Sequence, residues 1–63
     1  MRKYVGIAKI YPDKWVKYRT NHPHKLVDFL SKKFEGLLFV NFYEKKSGKL
    51  IGNWGKNMGF RGL

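Results

Sequence analysis

The stretch NHPHKLVDFLSKKFEG, residues 21–36, has a helical period between two strand-like flanks. Leu26, Val27, Leu30 and Phe34 recur at helical spacing and form one apolar stripe, with Phe29 at its edge. Pro23 suits the first helical position, where its missing N–H would be unpaired anyway, and its ring keeps His22 out of the helix. Lys32 and Lys33 fall in the last turn, where cations suit the helix dipole, and Gly36 offers a left-handed stop. The expected helix runs from Pro23 to Glu35.

Both flanks read as strands. Residues 3–11, KYVGIAKIY, are rich in β-branched and aromatic types. Pro12 then fits the second position of a type I turn, with Asp13 after it. KWVKYRT, residues 14–20, resumes strand character, which makes 3–20 a hairpin. After the helix, LLFVNFYE (37–44) is a strongly apolar strand. KKSG turns the chain, Gly48 supplying a positive φ, and KLIGNW (49–54) returns. The expected fold class is α+β, in the order ββαββ. It has a four-stranded antiparallel sheet in strand order 2-1-3-4 and one helix packed on one face. Residues 1–54 form the expected domain, and GKNMGFRGL, residues 55–63, reads as a flexible, basic, glycine-rich tail.

The chain has 63 residues, enough for one domain. A domain of this size buries only about 60% of its unfolded surface. It has no cysteine, which excludes disulfides and thiolate metal sites. Its support must come from the 17% of residues that are aromatic, or from a partner. No apolar run approaches the roughly 18–20 residues that cross a bilayer. The start MRKYVGIAKIYPDK lacks the pattern of a signal peptide, Lys9 interrupting a short apolar stretch, so a cytoplasmic location is expected. Charge is the strongest global feature. Fourteen Lys and Arg against four Asp and Glu give +10 and a pI near 10.2. Such self-repulsion costs stability and implies an anionic partner: nucleic acid, an acidic protein or an anionic membrane surface.

The strands, rather than the helix, hold most of that charge, because Lys25, Lys32 and Lys33 are offset by Asp28 and Glu35. In KWVKYRTN, residues 14–21, two aromatics alternate with cations, and strand alternation divides them between two faces. Val5, Ile7, Val16, Tyr18, Leu38, Val40, Phe42 and Ile51 are expected beneath the helix. Tyr4, Trp15, Lys17, Arg19, Phe39, Asn41, Tyr43 and Trp54 are expected on the opposite face. Lys49, at the start of the last expected strand, and Lys56 and Arg61, from the tail, complete a candidate nucleic-acid interface. Exposed rings stack on bases of any identity, and interleaved cations neutralise the phosphates between them. The expectation is a small non-enzymatic nucleic-acid-binding protein, single-stranded or weakly sequence-selective. An alternative is an interaction module or inhibitor that binds an acidic surface of a nucleic-acid-handling enzyme. A structural reading of the same aromatics is a second small core, capped by the tail or by a homodimer partner through the sheet face.

No catalytic residue, cofactor or metal ligand is assigned. His22 and His24 lie at the helix start without further ligands nearby. As general bases they would suit a metal-free ribonuclease, but no second acid–base group accompanies them. Asp13, Asp28, Glu35 and Glu44 fall in separate elements, so two-metal nuclease chemistry has no cluster of acids to use. GNWGKNMGFRG lacks the spacing of a phosphate loop and precedes no helix.

Overall fold

β-Branched and aromatic runs separated by polar turns fold into antiparallel strands around one helix. A computed structural model describes residues 3–63. The strands are β1 (Tyr4–Ile10), β2 (Lys14–Thr20), β3 (Leu37–Glu44), β4 (Leu50–Gly55) and β5 (Gly59–Arg61), and the helix is α1 (Pro23–Lys33). All five strands join one antiparallel sheet of order β2-β1-β3-β4-β5. The chain is therefore α+β with one helix, but the sheet has five strands and not four.

The extra strand comes from the segment expected to be a loose tail. Gly59 takes a φ of 72°, which only glycine adopts easily, and the chain reverses over Lys56–Met58. The Met58 N–H donates to the Gly55 carbonyl at 3.1 Å. Phe60 then lies opposite Trp54, and both pack against the core. Close approach at Gly52 reinforces the return: a Cβ there would lie 2.5 Å from the Arg61 carbonyl oxygen and 2.7 Å from Leu63 Cγ. Burial of one aromatic pair offsets the ordering of a short segment that composition alone marks as flexible.

α1 buries Leu26, Val27 and Leu30 against Ala8, Ile10, Leu37, Val40 and Phe42. Leu30, Val40 and Phe42 are fully buried, and each such side chain contributes about 1.5–3 kcal/mol by leaving water. The helix ends at Lys33, two residues before the expected Glu35. Phe34 is already extended, with φ −123°, while its N–H still donates to the Leu30 carbonyl at 2.8 Å. Gly36 is not left-handed. Its backbone passes Tyr11 so closely that a Cβ would lie 3.1 Å from Tyr11 Cβ, and its carbonyl accepts the Tyr11 N–H at 2.7 Å. Tyr11–Asp13 form the turn between β1 and β2, and the Tyr11–Pro12 peptide is cis.

The expected face of β1 is inverted. Gly6, Ala8 and Ile10 are buried, whereas Val5 and Ile7 alternate with them and lie on the other side of the sheet. The reason is volume. α1 lies so close to the sheet that a Cβ on Gly6 would be 2.7 Å from Leu26 Cδ2 and 3.2 Å from Phe42 Cε1. The small Gly6 and Ala8 therefore occupy the covered side there, with Ile10 buried at the end of the strand, and the bulkier Val5 and Ile7 lie on the uncovered one. Leu38 is also misplaced by simple alternation. A register shift between Lys9 and Ile10 sets Ile10 opposite Leu37, which turns Leu37 inward and leaves Leu38 exposed. Val16, Tyr18 and Ile51 pack against the core on the helix side.

Candidate nucleic-acid interface

Antiparallel register converts the alternation of single strands into rows that run across the sheet. On the face away from α1, the first row is Trp15, Lys9, Phe39, Gly55 and Gly59. The second is Lys17, Ile7, Asn41, Asn53 and Arg61. The third is Arg19, Val5 and Tyr43, with Leu50 beyond a register shift. The two apolar residues of β1 form a half-buried floor, and cations stand to either side of it.

Contacts within the first row are specific. Trp15 and Phe39 meet edge-to-face with ring centroids 5.8 Å apart. Lys9, between their strands, brings its Nζ to 4.6 Å from the centre of the Trp15 ring and donates to Asp13 Oδ1 at 2.9 Å. Lys9 is thereby shielded and ion-paired, whereas Trp15 remains 53% exposed. The ring rests on a cation and keeps an outer surface open. The Lys9 hydrogen bond, and then its charge, hold the Asp13 carboxyl below its ordinary 3.8. Lys17, Arg19 and Arg61 are exposed.

Six of the expected interface residues share this face: Trp15, Lys17, Arg19, Phe39, Asn41 and Tyr43. Arg61 joins them through β5. Tyr4 does not, because alternation from the buried Gly6 sets it on the helix side beside Thr20 and Glu44. Trp54 does not either. It lies opposite Val40 and Phe60 and packs against the core. Lys49 and Lys56 are exposed in the connections at opposite ends of β4, off the rows. Lys14, the first cation of KWVKYRTN, turns toward the helix side, with its Nζ 5.0 Å from the Phe34 ring centre.

Val5, Ile7, Lys9 and Asn53 belong to the face and were not expected there. Asn53 had a usable signal: GKNMG between NW and FR is a short glycine-bearing connection of the kind that closes hairpins. Reading it so makes Asn53 and Arg61 cross-strand partners. The histidines lie elsewhere. His22 caps α1 without a side-chain bond, and the His24 ring meets Phe60 edge-on at 4.0 Å on the helix side. Among the described residues, no three His, Cys, Asp or Glu side chains gather where they could hold a metal. No helix among the described residues is long and apolar enough to cross a membrane. Compared with protein-family models, curated proteins and solved structures, the chain matches none.

Proposed function

We propose that the protein binds single-stranded nucleic acid on the uncovered face of its sheet and performs no chemistry on it. The observation that supports this reading is the co-location, on one face, of Trp15, Phe39 and Tyr43 with Lys17, Arg19 and Arg61. Each base stacked on an exposed ring gains about 1–3 kcal/mol whatever its identity. The cations on the outer strands β2 and β5 flank the rings, where a backbone crossing the sheet would carry its phosphates. A duplex offers no unstacked base to Trp15, so an extended single strand is the better fit. A second copy of the chain on this face would set Lys17, Arg19 and Arg61 against their own kind in a protein of charge +10, which opposes a homodimer there.

One feature favours an acidic protein partner instead: the apolar Val5 and Ile7 floor and Leu50, which is 55% exposed, resemble the centre of a protein interface. Fluorescence anisotropy with labelled single-stranded RNA, single-stranded DNA and a duplex, at about 50 mM and about 200 mM salt, separates the readings. Single strands are expected to bind more tightly than the duplex. Their log K should fall linearly with log salt at a slope of about −0.7 per phosphate neutralised. Absence of binding at the lower salt would end the nucleic-acid reading, and co-purification of a stoichiometric acidic protein would then support the other.

A further inference from the structure

The second row of the uncovered face ends in three polar side chains in register: Asn41 opposite Asn53, and Asn53 opposite Arg61. Beside them, Phe39 is followed across the sheet by Gly55 and Gly59, two positions without side chains. The resulting groove has a volume of about 350 Å³ and is lined by Phe39, both asparagines, Trp54, Gly55, Met58 and Arg61. That is the lower end of the range for small-ligand sites. Neither asparagine amide is hydrogen-bonded to another protein group among the described residues. Gly55 is not required by the fold. Its φ is not positive, and a Cβ there would make only ordinary contact with Met58 Cβ at 3.5 Å. What the missing side chain preserves is the space beside Phe39.

Resting on the single-strand reading above, we propose that this groove accepts one unpaired adenine of the bound strand. A carboxamide presents one acceptor and one donor in a plane, the complement of an amino group next to a ring nitrogen. Adenine alone among the common bases carries its amino group between two ring acceptors, N1 and N7. Two amides on neighbouring strands can therefore each accept one amino hydrogen, and each donates to the ring nitrogen on its own side. Phe39 offers a ring for the base face, and Arg61, exposed at the end of the row, meets the adjoining phosphate.

The test compares wild-type binding to oligoadenylate, oligouridylate and oligocytidylate of equal length with binding to an oligomer of 7-deazaadenine. The last keeps the ring face and lacks the N7 acceptor. Oligoadenylate should be preferred by at least about fivefold over both pyrimidine strands, the factor set by one amide–base pair of about 1 kcal/mol. 7-Deazaadenine should forfeit much of that preference. Asn41→Ala with Asn53→Ala, and separately Gly55→Val, should abolish the preference while leaving the salt dependence of binding unchanged. Equal affinity of wild type for all three homopolymers, or a preference that survives both variants, would overturn the adenine site and leave the single-strand reading intact. Failure of wild type to bind any strand would overturn both.

Discussion

Trp15 and Phe39 are separated by a whole strand, yet their rings touch edge-to-face over Lys9, with centroids 5.8 Å apart. The pair bridges β2 and β3 across β1 and leaves the outer side of Trp15 in water. Trp15→Ala is therefore expected to weaken single-strand binding by about 1–3 kcal/mol, the worth of one stacked base. Thermal stability should change little, since the ring is more than half exposed. In a Trp54→Phe background the remaining tryptophan emission reports on Trp15 alone, and it should be quenched on addition of oligonucleotide. Emission that ignores a bound strand would remove Trp15 from the interface.

Cations on the two sides of the molecule should behave differently. Replacing Lys17 and Arg19 by Gln should lower the salt slope of binding by about 0.7 for each phosphate left without its cation. Replacing Lys25 and Lys32 on α1 by Gln changes the net charge equally but touches no row of the uncovered face. That pair should leave the slope nearly unchanged. Equal slopes for the two double variants would mean that binding follows bulk charge and not the sheet face.

At Gly6 the helix lies close against the sheet. A valine there has to displace Leu26 and Phe42, and overpacking of this kind costs about 1–3 kcal/mol. Urea denaturation should show the destabilisation as a lower midpoint with an unchanged slope. Ile7→Val, one residue along on the uncovered face, should cost less. If the two substitutions are equally damaging, the assignment of faces in β1 is wrong.

The return of the chain through β5 depends on Phe60, which lies opposite Trp54 and meets the His24 ring at 4.0 Å. Phe60→Ala should destabilise the domain by about 1–3 kcal/mol, within the ordinary range for truncating a partly buried side chain. It should also release β5 locally, so that amide hydrogens of Asn53 and Gly55 exchange faster than those of β1. Unaltered protection of β4 would show that β5 is held by its backbone alone.

The Lys9–Asp13 pair gives a pH dependence of known sign. Its hydrogen bond and charge depress the Asp13 carboxyl below 3.8 in the folded chain. The contribution is present in full above the unfolded value and disappears as pH falls through the lower folded one. Because Asp13 is fully exposed, the effect should be small and should shrink with salt. Carboxyl-carbon NMR titration should report a midpoint for Asp13 below that of an unpaired aspartate, restored toward it in Lys9→Gln. A midpoint that Lys9→Gln leaves in place would show that the pair is not what depresses it.

Read alone, the sequence determined the helix, its start at Pro23, the β-hairpin before it, and the division of KWVKYRTN. Those features rest on local rules: the proline ring fixes its own backbone, helical spacing gathers Leu26, Val27 and Leu30, and alternation separates Val16 and Tyr18 from Trp15, Lys17 and Arg19. The net charge of +10 was equally plain. Which side of β1 faces the helix, and the path of residues 55–63, depend instead on long-range packing. Alternation has a period but no sign, and large apolar residues suggest the wrong sign when the helix passes too close for a side chain at Gly6. That inversion places Tyr4 on the helix side and Val5 and Ile7 on the uncovered face. The glycine-rich end has no period of its own and gains order from Trp54 and the core cluster it joins, neighbours that no local reading contains. The same packing brings Asn53 and Arg61 into register with Asn41 and sets Trp54, expected beside them, half-buried against the core.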